Sequence, residues 1–278
     1  MDHPTLPPLD APPTPSQITL ATRIHTQRPF HIAARKLPIL KAGPIDALSA
    51  RLQIPVPEMI FGDNLVSIAH PRSGWSISFS AEAALDTVDK TGEAGMLRVA
   101  YAREWSSSRE KTSAGISEVV RPFDWSYSAA YKGDEGPGLA ETTEGIPLEL
   151  LKRRDPILFA DEVVLYESEL DDNGISVMSV KVRVMQQRML LLCRLFMRLD
   201  GVVVRVRDTR VYVDFGKETV IREYTAREDR FENVKRNLYS SGLAPDAITI
   251  ALRDSNQVAN LLPVVEQSVE SVCLATAP

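Results

Sequence analysis

The stretch Arg188–Tyr224, RMLLLCRLFMRLDGVVVRVRDTRVYVDFGKETVIREY, decides the fold. It reads as three adjacent strands, the first two closed by a tight turn at Asp200-Gly201. Asp-Gly between two apolar, β-branched-rich runs is a strong short-range hairpin signal. Both central residues of a type I′ turn need φ > 0, which Gly adopts freely and Asp tolerates. A two-residue loop there fixes the register by counting: Leu199 faces Val202, Met197 faces Val204 and Leu195 faces Val206. The other side then carries Arg198 opposite Val203, Phe196 opposite Arg205 and Arg194 opposite Arg207. One face is expected to be aliphatic and the other to gather four arginines around one phenylalanine. Like charges directly opposite one another destabilise a bare hairpin by roughly 0.2–1 kcal/mol. Arg194 and Arg207 therefore require a carboxylate, within the chain or on another protein.

Upstream, Ile157 to Glu169 and Ile175 to Met185 read as a second hairpin around Asp171-Asp172-Asn173-Gly174. Its second strand sets Lys181 and Arg183 on one face and Val180, Val182 and Val184 on the other. Downstream, Thr225 and Glu228 have the spacing of a capping box, followed by a helix with Phe231, Val234 and Leu238 on one side. Around Pro263, Val258, Leu261, Leu262, Val265, Val269 and Val272 fall at helical spacing. Towards the N-terminus, Ile18 to Leu40 suits edge strands broken by Pro29 and Pro38. Pro44 begins a short helix, WSISF (Trp75–Phe79) alternates as a strand, and Ser80 can cap a helix through Val88. Met96 to Tyr101 is the next strand, and Pro147 starts another helix. Hairpins interspersed with helices indicate an α+β fold, mainly antiparallel sheet flanked by short helices. Residues 1–16 hold six of the nineteen prolines and read as a disordered tail, leaving 17–278 as a single domain.

The 278 residues carry a net charge of −5, which argues against general nucleic-acid binding, and no apolar run is long enough to span a membrane. The two cysteines, Cys193 and Cys273, offer neither a disulfide framework nor zinc spacing and suggest a reducing compartment. His25 and His31 are only a loose pair, and Asp63 and Asn64 suit a turn with a local side-chain hydrogen bond. No nucleophile elbow, phosphate loop or dinucleotide fingerprint occurs, so neither a cofactor, a metal nor catalysis is expected. The remaining candidate is the basic sheet face, Arg194, Arg198, Arg205 and Arg207, joined by Lys181 and Arg183 if the hairpins adjoin. Two readings stand: a solvated face neutralised by neighbouring Asp and Glu, or a site for an acidic peptide or C-terminal carboxylate, which guanidinium forks bind in bidentate fashion.

Several ordered stretches carry a family resemblance: PVPEMIFGDN (Pro55–Asn64), VAYAREW (Val99–Trp105), RPFDWSYSAAYKG (Arg121–Gly133), LYESELDDNGIS (Leu165–Ser176), VKVRVM (Val180–Met185), RLDGVVVRVRDTRVY (Arg198–Tyr212) and REYTARE (Arg222–Glu228). Together they resemble the TIPRL-like family, regulators of the TOR signalling pathway related to the yeast Tap-interacting protein. The resemblance implies a non-enzymatic protein that binds catalytic subunits of type 2A serine/threonine phosphatases and inhibits them; the cysteine usage suggests the cytosol or nucleus. The resemblance further implies the Tap/alpha-four phosphatase-associated protein as a second partner. The family's phosphatase-contacting positions fall on Ile146, Val206 and Asp208. Combined with the basic face, the expected partner site is Ile146, Lys181, Arg183, Arg194, Arg205, Val206 and Asp208, with Arg183, Arg194 and Arg205 receiving the phosphatase's C-terminal tail. The competing reading is an adaptor for another acidic peptide or tail.

Overall fold

The computed structural model describes residues 13–91, 99–100, 118–119, 123–136 and 138–275. In chain order, α1 (Pro15–Leu20) leads into β1 (Thr22–Gln27) and β2 (Phe30–Arg35), then α2 (Ala42–Leu52) and the short β3 (Met59–Ile60). β4 (Leu65–His70), β5 (Trp75–Ser80) and α3 (Ala81–Asp86) follow. The small strands β6 (Val99–Ala100), β7 (Glu118–Val119), β8 (Asp134–Glu135) and β9 (Ala140–Glu141) come next, then α4 (Leu148–Leu151). The long strands are β10 (Ile157–Ser168), β11 (Gly174–Met185), β12 (Arg188–Leu199), β13 (Val203–Asp214) and β14 (Thr219–Arg230). α5 (Phe231–Ser240), α6 (Pro245–Ala251), α7 (Ser255–Ala259) and β15 (Val264–Cys273) complete the described elements. The expected strand from Met96 and the stretch around Trp105 lie largely outside the described residues, as does most of the N-terminal tail. Pro15 and Ser16, which the tail expectation included, are helical.

The fold is α+β, built on antiparallel sheets. Eight strands form one sheet in the order β3-β10-β11-β12-β13-β14-β15-β9, and five form another in the order β1-β2-β4-β5-β8. Alternation explains how they meet. Ile32, Ile68 and Ile77 line up across β2, β4 and β5 on the side facing the large sheet. Val180, Val182 and Val184 of β11 and Met189, Leu191 and Cys193 of β12 face back, and both sets belong to one buried cluster. Each such aliphatic side chain contributes about 1.5–3 kcal/mol by leaving water. Buried polar groups tie the sheets together. Asn64 closes a turn, its amide donating to the Phe61 carbonyl (2.9 Å), but its side chain bonds at a distance: Oδ1 accepts from the Leu37 amide (2.6 Å) and Nδ2 donates to the Val164 carbonyl (2.7 Å). Its side-chain amide is thus satisfied by two distant segments, which a buried polar group requires.

The Asp200-Gly201 hairpin forms, but with a loop one residue longer than counted. Leu199 pairs with Val203, and the Val202 amide donates to the Leu199 carbonyl (3.0 Å). Only Gly201 takes positive φ (+73°), so the turn is not type I′. Asp200 is held from outside, its amide donating to the Asn173 carbonyl (2.8 Å) and its carboxylate accepting from Arg198 Nε (2.6 Å). A one-residue slip sends every side chain of a strand to the opposite face. Arg194 now pairs with Asp208, Phe196 with Val206 and Met197 with Arg205. The four arginines are therefore divided, Arg194 and Arg198 on the outer face and Arg205 and Arg207 on the inner one.

Two helix expectations give way to strands for related reasons. Thr225 and Glu228 lie within β14, which pairs with β13 on one side and β15 on the other, so their backbone groups are used in ladders. Glu228 sits on the face of Arg205 and Arg207 and binds both, through Arg205 Nε (2.5 Å) and Arg207 Nη2 (3.1 Å). α5 begins only at Phe231 with no side-chain cap and is held by Val234 and Leu238 against the sheet. The Pro263 segment is helical only in α7. Val265, Val269 and Val272 belong to β15, where β-branched residues complete the exposed edge of β14.

Burial works against ionising Glu228, but the hydrogen bonds and charges of Arg205 and Arg207 outweigh it and hold the carboxyl below its ordinary range. Its folded form thus releases a proton at lower pH than the unfolded chain does. The stability it adds is complete above the unfolded glutamate range and is lost as pH falls through the folded value. The thermal midpoint of Glu228→Gln should consequently fall less steeply than wild type between about pH 6 and about pH 3. Parallel curves would show that the pair adds no pH-dependent stability.

Candidate functional site

The outer face of the large sheet is covered by apolar clusters at both ends, and the band between them is exposed towards Lys181 and Arg183. At the hairpin end, Phe196, Val204 and Val206 lie under Val234 and Leu238 of α5, Ile248 of α6 and Val258 of α7. At the other end, Ile146 and Leu151 pack on Leu190, Tyr212, Ile221 and Val269. Between them run two polar rows read directly from the strand register. One is Lys181, Leu192, Arg210, Glu223 and Val269, every member half-buried. The other is Ser179, Arg194, Asp208, Thr225 and Gln267. Arg183 stands exposed at the side of this band.

Asp208 organises the floor. It is 1% exposed and accepts a bidentate pair from Arg194, Nε to Oδ1 at 2.7 Å and Nη2 to Oδ2 at 2.8 Å. Arg210 Nη2 adds a third bond to Oδ2 at 2.7 Å. Arg194 also donates through Nη1 to Asn256 Oδ1 of α7 (2.9 Å), which fixes the helix to the sheet. On the opposite wall, Glu223 Oε1 accepts the Ile146 amide at 2.7 Å. A Cβ on Gly145 would lie 2.9 Å from the same oxygen, a contact that the glutamate tip would have to shift to admit.

The site residues read from sequence are thus partly assembled. Lys181, Arg183, Arg194 and Asp208 share the outer face, with Ile146 in one wall and Val206, fully buried, beneath the other. Arg205 is not brought together with them: it points to the inner face, bound to Glu228. All four hairpin arginines have carboxylate partners: Arg194 with Asp208, Arg198 with Asp200, and Arg205 and Arg207 with Glu228. This is the neutralised reading of the basic face. Lys181 meets Glu162 at 3.0 Å, with both side chains about half exposed, a pairing that adds little stability. Glu223 and Asn256 were missed, because their roles appear only once β13–β14 pairing and the α7 contact are known. Arg210 pairs with Asp208 within its own strand, whereas Arg222 bridges strands, binding Glu135 of β8 and Glu270 of β15.

Catalytic or metal chemistry finds no assembled constellation in the described residues. No group of three or more His, Cys, Asp or Glu there could hold a metal ion. His25 shares a face with Ile32 and stacks on Phe159 at 5.5 Å, whereas His31 is exposed. Burial, with the Asp208 charge adding to it, pushes the Cys193 thiol up, away from the reactive thiolate. No described helix is long and apolar enough to cross a membrane.

Residues 59–235, from β3 into α5 and including Lys181, Arg183, Arg194 and Asp208 of the band, match the model of the TIP41-like family. The chain belongs to the TIP41-like family. A rat TIP41-like protein is 39% identical over 250 residues, 88% of this chain and 87% of that protein. A Saccharomyces cerevisiae relative, named type 2A phosphatase activator TIP41, is 38% identical over 87% of this chain and 72% of its own length. The Schizosaccharomyces pombe protein of the same name is 31% identical over 83% and 90%. The TIP41-like match ends within α5, so α6, α7 and β15 lie beyond it.

Proposed function

We propose that this chain is a non-enzymatic regulatory protein that binds the catalytic subunit of type 2A serine/threonine phosphatases, restrains its activity and acts in TOR signalling in the cytoplasm and nucleus. The reading rests on the match, across 87% of the chain, to a relative named type 2A phosphatase activator. The outer band is its binding surface. Arg183, which makes no ion pair among the described residues, and Lys181, whose half-exposed pair with Glu162 adds little, are the charges that meet the carboxylate of the phosphatase's C-terminal tail. Arg194 and Asp208 are largely satisfied by each other and set the floor, while Ile146 and Val206 shape the walls. Arg205, on the inner face, supports β14 through Glu228. The Tap/alpha-four phosphatase-associated protein is the second partner in this reading.

Co-precipitation of a type 2A catalytic subunit with the full chain, followed by a phosphatase assay on the captured complex, tests both parts. Capture with turnover reduced relative to the free subunit is expected. Capture with raised turnover would reverse the sign, in keeping with the word activator in the fungal names, and no capture would remove the reading. The double charge reversal Lys181→Glu/Arg183→Glu should weaken capture by about tenfold or more while leaving the melting temperature close to wild type, because rim charges act on association rather than folding.

A further inference from the structure

We propose that the groove between α5 and α6 is a second docking site, for an acidic peptide of a partner protein. None of the phosphatase-facing residues lines it. α5 turns Val234 and Leu238 to the sheet and presents Phe231, Lys235 and Tyr239, at i, i+4 and i+8, along an adjacent stripe. α6 and the residues after it offer Pro245, Ile248, Leu252 and Arg253 at matching spacing, and Arg198 and Asp200 of the hairpin close one end. The space enclosed is about 660 Å³, within the range of ligand clefts.

Its chemistry selects the occupant. Arg198 is consumed by Asp200 and by the Leu252 carbonyl. Lys235, Arg236 and Arg253 are exposed and make no ion pair among the described residues, and Glu232 is the one remaining acidic residue lining the groove. In a chain of net charge −5, the groove thus gathers three cations that have no ion-pair partner among the described residues. Beneath them lies an apolar floor, and Tyr239 stands 68% exposed at the rim. Tyrosine at such a place provides a large, rigid contact surface with a polar tip, the character of a peptide-binding anchor. Acidic side chains over Lys235, Arg236 and Arg253, with an apolar side chain between Tyr239 and Ile248, would complement the groove in the helix-in-groove or acidic-motif mode. Its concavity and the glutamate within it suit a peptide rather than a flat anionic bilayer, which is read by denser basic clusters.

The test is fluorescence anisotropy with the full chain and a short fluorescein-labelled peptide. It carries glutamates around leucine and phenylalanine anchors at i and i+4, and a lysine-for-glutamate version is run beside it. The acidic peptide should bind in the micromolar range or weaker and lose affinity as salt is raised; Lys235→Glu/Arg236→Glu and Tyr239→Ala should each weaken it by about tenfold, conversions among surface residues that spare the core. Lys181→Glu/Arg183→Glu should leave this binding unchanged, which separates its failure from failure of the phosphatase reading. Equal binding of the two peptides, no binding of either at about 1 mM, or insensitivity to Lys235→Glu/Arg236→Glu would overturn the proposal. Capture by phosphatidylserine vesicles that the acidic peptide does not compete away would overturn it in favour of a membrane.

Discussion

Asp208→Ala is expected to destabilise the folded chain by about 3–5 kcal/mol, because it strips the shared partner from two guanidinium groups that the sheet has already withdrawn from water. Arg194 is the more costly of the two. Its side chain is only 12% exposed and both Nε and Nη2 donate to Asp208. Arg210, 29% exposed, can swing into solvent and recover part of its hydration. Asn at this position keeps the shape but loses the charge and turns one acceptor into a donor facing guanidinium, so Asp208→Asn should recover little. Replacing both partners, Asp208→Leu with Arg194→Met, should cost clearly less than Asp208→Ala alone, since a well-packed apolar pair avoids the uncompensated charge. Urea unfolding of these variants decides it. If Asp208→Ala loses less than about 1 kcal/mol, the floor of the band is not held together by this network. Capture experiments on Asp208 variants consequently report folding together with binding, whereas Lys181 and Arg183 report binding.

Gly174→Ala should be comparably severe for a different reason. Gly174 opens β11 at φ +158° opposite Leu199, and a Cβ there would lie 1.9 Å from the Arg198 carbonyl oxygen and 2.9 Å from its carbonyl carbon. Backbone cannot rotate away as a side-chain tip can. The first rung of the β11–β12 ladder must open, and with it the bond from the Asp200 amide to Asn173 that ties down the three-residue loop. A loss of about 3 kcal/mol or more is expected, in the range reserved for backbone strain and overpacking. Gly201→Ala supplies the contrast. Its φ is +73°, but nothing lies within 4 Å of the point a Cβ would occupy, so left-handed strain alone remains, about 1–2 kcal/mol. Equal effects of the two substitutions in the same unfolding experiment would refute the steric account of Gly174.

What could be read from sequence was whatever depends on local period. Lys181 and Arg183 alternate with Val180, Val182 and Val184, and the strand they predict is present with those faces. Ser80 caps α3 through the Ala83 amide as its position suggests. What could not be read depends on distant partners. The three-residue loop at Asp200-Gly201 is tied to a distant segment, the Asp200 amide donating to the Asn173 carbonyl, and the one extra residue moves Arg205 to the other side of the sheet. Thr225 and Glu228 have helix-cap spacing, but the ladders to β13 and β15 use their backbone, and the Glu228 carboxylate serves Arg205 and Arg207. Val265, Val269 and Val272 fit a helical face equally well until the open edge of β14 is known. The band was half visible for the same reason: Lys181, Arg183, Arg194 and Asp208 stand in readable strands, while Glu223 and Asn256 join through contacts that span the sheet and its covering helix.

The most direct measurement is a calorimetric titration of a type 2A phosphatase catalytic subunit with the full chain and with its Lys181→Glu/Arg183→Glu variant. Saturable one-to-one binding by wild type, weakened by about tenfold or more in the variant at an unchanged melting temperature, is the result predicted. No binding by the wild-type chain, or equal affinity for both proteins, would contradict a regulator that meets the phosphatase across the outer band of its sheet.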